Sequence, residues 1–268
     1  HRQFRKSKLF SPASDSAGRQ LFENFYGRSP TENNLFEQFF THTEKSDFLT
    51  NKPPHVVLNI LESMSQSLLT DRFSNGLNLA GAMKSHLAED IYFQHFLPAT
   101  NGTQDSLISL LANSQYAQIS RSKYQHIPLQ TASTQVFKKA GYKTVFIYSG
   151  FEGEMNLASF FKVQGFDEFI GANRLKTLFP KMKRSVWGGE DSYVFEQAWQ
   201  LLDSLNADSQ PHFIVNLTVT NHPPYHLPVH TLQPSVEVPA ALASRLKSLP
   251  PESLDTYLYT NDHLGRFI

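Results

Sequence analysis

Four short stretches of this chain place chemically competent side chains directly after apolar runs. Glu62, in LES, directly follows HVVLNIL. Thr103 closes PATNGT and opens TQDSLISLLANS. IYSGFEGEMN follows YKTVFIY and carries Tyr148, two glycines and two acids. Asn221-His222 ends FIVNLTVTNH ahead of Pro223-Pro224, with His226 close behind. Each has a plain structural reading and a chemical one. Glu62 caps or begins a helix, where the dipole favours an acid, or it is a hard oxygen ligand for a divalent metal. Thr103 is a preferred helix N-cap. Otherwise it is a nucleophile that attacks phosphorus or sulfur while helix N–H groups receive the anion, and Gly102 lets the backbone come close. IYSGFEGEMN is a surface turn or a substrate-side loop. His222 is structural, or it stabilises a transferred anion and protonates a leaving oxygen.

The elements that would position these groups follow from periodicity. HVVLNIL, IYFQHFLPA, YKTVFIYSG and PHFIVNLTVTNH read as strands. TQDSLISLLANS, TASTQVFKKAGY, NLASFFKVQGF and DSYVFEQAWQLLDSL read as helices, with Gly141 and Gly165 as stops. This alternation predicts an α/β fold, a mostly parallel sheet with helices on both faces. In such sheets sites gather at the carboxyl ends of strands. Residues 1–52 are polar with scattered aromatics. RQLFENFYG and NNLFEQFF have helical spacing there, and short helices packing on a main domain over 53–268 are expected.

The chain has 268 residues, 40% hydrophobic and 18% charged, enough apolar content to fill a core. Lys+Arg and Asp+Glu are both 24, so no basic excess points to nucleic acid. The absence of cysteine excludes disulfides, thiolate metal sites and thiol catalysis. No apolar run has the length of a membrane-spanning helix. The first residue is His1, and Arg2, Arg5, Lys6 and Lys8 follow. A solvated terminus or a juxtamembrane basic stretch fits them, and an upstream targeting or anchoring segment is expected.

In order, HVVLNILESMSQS, PATNGTQDSLISLL, FKKAGYKTVFIYSG, FFKVQGFDEFIG, VWGGEDSYVFEQAWQLL and FIVNLTVTNHPPYHLP resemble the sulfatase-like ectodomains of the lipoteichoic acid synthase type, in the alkaline phosphatase-like superfamily. The resemblance covers roughly residues 53–268. It implies Glu62 as a metal ligand and Thr103 as both nucleophile and metal ligand. It implies His222 in the substrate pocket, with Asn156, Trp187, Asp191, Asn221 and Tyr148 around the substrate. It implies a divalent cation, manganese or zinc, with magnesium as a third option. The implied reaction moves a phosphoglycerol- or phosphoethanolamine-type group from a phospholipid to a glycan or lipid hydroxyl through a threonine ester. The implied setting is extracytoplasmic, periplasmic or on the outer face of the inner membrane, behind an N-terminal membrane region.

Two departures qualify this. The family's histidine and its Trp-x-Arg trio fall on Tyr148, Met155 and Leu157, with Asn156 matching between the last two; the missing arginine weighs against phosphoglycerol. The family completes its metal site with an Asp-His-Gly block after a further strand. Asp262-His263 in YTNDHLGRFI has no apolar strand before it and reads as part of an amphipathic helix. The second half of the metal site is therefore expected to be missing from this chain. Weak metal binding and no activity of the isolated chain are expected with it. Two other classes stay open: a hydrolase, either a phosphodiesterase or a sulfatase (for which no C/S-x-P-x-R block is present), and a non-catalytic binder of headgroups or glycans.

Overall fold

The computed structural model describes residues 15–30, 44–69, 77–94, 96–114, 116–204, 210–225, 250 and 252–268. The chain divides into two compact units, His1–Pro53 and Pro54–Ile268. The first contains α1 (Asp15–Tyr26), which includes RQLFENFY, and the short α2 (Asp47–Asn51), opened by Ser46 accepting from the Leu49 N–H. NNLFEQFF lies outside the described residues.

The second unit is built on four parallel strands: β1 (Val56–Ile60), β2 (Lys143–Tyr148), β3 (Glu168–Ile170) and β4 (His212–Leu217). Their order in the sheet is β1-β4-β2-β3. The central strands β2 and β4 read as near-continuous apolar runs because both of their faces are covered. Around them, in chain order, lie α3 (Met83–Glu89), α4 (Thr103–Ala112), α5 (Ser133–Lys139), α6 (Leu157–Val163), α7 (Ala172–Leu178), α8 (Ser192–Ser204) and α9 (Glu252–Phe267).

The pleat sorts the core into two layers. Phe146, Tyr148, Phe213, Val215 and Leu217 face a layer with Phe160, Phe161, Phe166, Leu107 and Ile108. Val145, Ile147 and Ile214 face Leu175, Met182, Val194 and Ala198. The first layer gathers seven of the chain's 22 phenylalanines. Phe137 stacks on Phe213 with centroids 3.8 Å apart, and Phe146 on Phe169 at 4.9 Å. Such pairs add about 0.5–1.5 kcal/mol each beyond their buried area.

The structure departs from the sequence reading in two places. IYFQHFLPA is not a strand: its described residues form irregular chain outside the sheet, with Ile91, Phe93, Phe96 and Leu97 72–87% exposed. Its apolar content satisfies a strand pattern, but no strand of the sheet pairs with it. Conversely, the three-residue β3 has no counterpart in the sequence pattern, because FDEFIG is too short for a period to show.

Asp167, just before β3, ties it to β2. It accepts from the Thr144 N–H and hydroxyl, both at 2.9 Å, and from Lys138 Nζ at 2.6 Å. Desolvation raises its pKa, but the hydrogen bonds from Lys138 and Thr144 outweigh it and hold the carboxyl below the ordinary value. A depressed carboxyl stabilises the fold above its unfolded pKa and loses that contribution as pH falls through the folded one. Asp167→Asn is expected to cost about 1–2 kcal/mol at neutral pH, with the difference in Tm from the parent shrinking as pH falls below the carboxylate range.

Candidate functional site

Because β1, β4 and β2 are neighbours, their carboxyl ends meet at one edge. Glu62 follows β1, Thr218 to His222 follow β4, and Ser149 to Asn156 follow β2. Glu62 is half-buried. Its N–H donates to Thr218 Oγ1 at 2.8 Å, which docks the β1 exit against the β4 exit. Ser63, next to it, holds a left-handed φ of 52° and donates its hydroxyl to Glu62 Oε1 at 2.8 Å. A non-glycine residue there costs on the order of 1–3 kcal/mol and clusters at functional sites.

Thr103 is the first residue of α4 and donates its hydroxyl to Glu62 Oε2. The capping reading of Thr103 is thereby corrected. Gly102 occupies the cap position, with a φ of 143°, and the threonine hydroxyl serves the carboxylate rather than the helix. The approach is a loop, not a strand end as the sequence suggested. Glu62 likewise begins no helix; its carboxylate takes both hydroxyls. No ion pair to Glu62 occurs among the described residues.

Asn221 is 5% exposed and works as a clamp. Its Nδ2 donates to the Ser63 carbonyl at 3.2 Å and the Glu62 carbonyl at 3.4 Å, and its Oδ1 accepts from Thr256 of α9 at 2.9 Å. His222 is half-buried at the rim and packs on Trp187, centroids 3.9 Å apart. The Pro223 carbonyl receives the Trp187 indole N–H and faces His222 Nδ1 at 2.9 Å. A carbonyl only accepts, so we assign the proton to Nδ1, which makes Nε2 the nitrogen with the lone pair.

Asp191 lies beneath these loops, fully buried. It accepts from Ser149 Oγ at 2.6 Å, Val219 N–H at 2.8 Å, Thr220 N–H at 3.0 Å and Thr260 Oγ1 at 2.9 Å. Burial pushes its carboxyl up, against the four hydrogen bonds that pull it down. It holds the β2 and β4 exits and α9 to one point. Gly188 lets that happen: a Cβ there would lie 2.0 Å from the Ser149 carbonyl oxygen.

Tyr148 is also buried and donates to Glu154 Oε2 at 2.6 Å. Burial first, then that hydrogen bond and the nearby charges of Glu154, Glu62 and Asp191, raise its pKa. Glu154 precedes two left-handed residues, Met155 and Asn156, with φ of 48° and 59°. Asn156 Nδ2 donates to the Ser120 carbonyl at 2.7 Å and to Gln125 Oε1 at 2.6 Å. Ser120 Oγ accepts from Gln104 Nε2 at 2.9 Å and donates to the Met155 carbonyl at 3.0 Å. The residue after Thr103 is thus joined to the turn that carries Glu154 and Asn156. Sequence reading missed this supporting set, Ser120, Ser149, Thr218, Thr220 and Thr260. For Thr218 and Thr220, the hydroxyls in the run TVTN after FIVNL are a signal that could have found them.

Asp262-His263 lies on α9, within the span read as a helix. Asp262 accepts from the Ala82 N–H at 2.9 Å and from Arg266 Nε at 2.7 Å. His263 packs on Tyr259, and burial lowers its pKa. Among the described residues no three His, Asp or Glu side chains gather as a metal cage. Glu62 and Thr103 nevertheless present two adjacent hard oxygens suited to a divalent cation. No described helix is long and apolar enough to cross a membrane.

Comparison with known proteins gives the chain's family and fold neighbours. The Sulfatase family model matches residues 54–268. Phosphoglycerol transferase I of Salmonella agona strain SL483 is 28% identical over 182 residues, 64% of this chain and 24% of that protein. The chain therefore spans about a quarter of the curated relatives it matches. Among solved structures, the lipoteichoic acid synthase LtaP from Listeria monocytogenes superposes with a TM-score of 0.68 at 17% identity, over 93% of this chain and 57% of that one. The C-terminal periplasmic domain of EcEptC from Escherichia coli, in complex with Zn, gives 0.57 at 17% identity, over 81% and 59%.

Asp191→Asn would turn an amide nitrogen toward two of the four donors. It is expected to lower stability by about 2–4 kcal/mol, measured by urea unfolding, with Ser149→Ala costing about 1 kcal/mol.

Proposed function

Since this chain belongs to the sulfatase family, we propose that it carries the nucleophile half of a metal-dependent phosphotransferase site with Thr103 as the nucleophile. The carrying observation is the hydrogen bond from Thr103 to Glu62 at the N-terminus of α4. The donor is a phospholipid with a phosphoglycerol- or phosphoethanolamine-type headgroup, and the acceptor is a glycan or lipid hydroxyl. The similarity to a phosphoglycerol transferase supports this reading. The setting is extracytoplasmic, as for the periplasmic E. coli domain.

Thr103 Oγ forms the new bond to phosphorus, the bond from phosphorus to the diacylglycerol oxygen breaks, and the headgroup rests as a threonine ester. The Thr103 proton points at Glu62 Oε2, which fixes the direction in which it leaves. The N–H groups of the first turn of α4 face the phosphoryl oxygens. With its proton on Nδ1, His222 offers the Nε2 lone pair, which takes the proton of the acceptor hydroxyl when the ester is resolved and Thr103 recovers its own from Glu62; the leaving diacylglycerol oxygen takes its proton from solvent. Glu62 and Thr103 would hold a divalent cation, manganese, zinc or magnesium, which when bound lowers the threonine pKa and neutralises phosphate charge. Trp187 orients His222; Asn221 and Asp191 set the loops from beneath. Asn156 and Tyr148 bound the headgroup side.

In the full-length protein, Thr103→Ala is expected to reduce transfer from a radiolabelled phospholipid by a factor on the order of 10⁴ or more, and undiminished turnover would refute the assignment. Product analysis with and without an acceptor alcohol distinguishes transfer from hydrolysis by a phosphodiesterase.

A further inference from the structure

The segment leading into Thr103 exposes four large apolar side chains. Ile91 is 87% exposed, Phe93 72%, Phe96 78% and Leu97 83%. From Ile91 to Gln104 the sequence contains no Asp, Glu, Lys or Arg, between Asp90 and Asp105. The base of the segment is seated: Tyr92 turns in and its hydroxyl is buried. An anchored loop free of Asp, Glu, Lys and Arg and bearing exposed bulky apolar side chains has the composition of an interfacial element.

Its position supplies the occupant. Fully extended, the chain from Leu97 to Thr103 reaches at most about 20 Å. A phospholipid donor must bring its phosphorus to Thr103 while its acyl chains remain in hydrocarbon. The surface beside Thr103 must therefore sit at the depth of the headgroups, or the lipid must be pulled out whole.

We propose that Ile91, Phe93, Phe96 and Leu97 form a membrane-inserting tip that seats the site on a phospholipid bilayer. The inference rests on the proposed lipid-donor reading. The tip dips below the headgroups, the uncharged run to Gln104 crosses them without desolvating a charge, and Thr103 is presented at phosphate level. Charge plays little part in this attachment, so it persists at high salt.

The test uses vesicles of phosphatidylglycerol and phosphatidylethanolamine. The chain contains no cysteine, so Phe96→Cys carries a single environment-sensitive fluorophore, with Val136→Cys, on α5, as the control for an exposed apolar residue elsewhere. The Phe96 label is expected to shift to the blue on adding vesicles and to be quenched by brominated acyl chains, and the Val136 label to do neither. Phe93→Ser with Phe96→Ser is expected to weaken vesicle binding at least tenfold at both low and high salt, without lowering Tm. In the full-length protein the same pair should lower transfer from vesicles and leave transfer from a short-chain soluble donor unchanged. Unchanged vesicle binding overturns the proposal. So does a lowered Tm or a change of oligomeric state with no label shift, because the tip then packs against another part of the protein or a second copy. Phe-dependent vesicle binding without transfer from any donor supports the tip and removes the transferase reading instead.

Discussion

The buried carboxylate of Asp191 is the interaction on which the arrangement of the site depends. A fully buried acid is costly to place unless its oxygens are met by donors. Here the donors come from both β-strand exits and from α9. That requirement locks Ser149, Val219, Thr220 and Thr260 into one register. Everything at the rim follows: Thr218 docks Glu62, Asn221 clamps the Glu62-Ser63 turn, and His222 is held against Trp187. The polar floor is thus a support under the chemistry rather than part of it.

Above that floor the electrostatics are one-sided. Glu62 and Glu154, with Asp191 in the floor below them, lie close enough to raise the Tyr148 pKa, and none is ion-paired among the described residues. A phosphodiester anion entering here meets carboxylates and only the partial positive charge of the α4 N-terminus, equivalent to about half a charge. The proposed mechanism carries a divalent cation for this reason: Glu62 is placed to share it with Thr103, and the cation would offset both the carboxylate and the phosphate.

Much of this was readable in the sequence. β2 and β4 announce themselves because doubly covered parallel strands are nearly unbroken apolar runs, and the residue types after β1, β4 and PATNGT mark one edge. Where reading failed, the cause is physical. Ile91 to Leu97 has the apolar content of a strand, but content alone does not say whether a segment pairs into the sheet. β3 is too short to show a period. A threonine at a helix start looks the same whether its hydroxyl caps the helix or reaches 41 residues back to Glu62. Asp191 was singled out by family resemblance as a substrate residue. Its burial and four donors, which give it a supporting role, are set by tertiary structure that no local pattern encodes.

The central claim is that the Thr103 hydroxyl, held by Glu62 at the start of α4, becomes esterified. The most direct measurement is peptide mass spectrometry of the full-length protein quenched in acid during turnover of phosphatidylglycerol or phosphatidylethanolamine. The account predicts a headgroup phosphate adduct on Thr103, absent without donor and increased when acceptor is withheld. An adduct on another residue, or none while transfer proceeds, would contradict it.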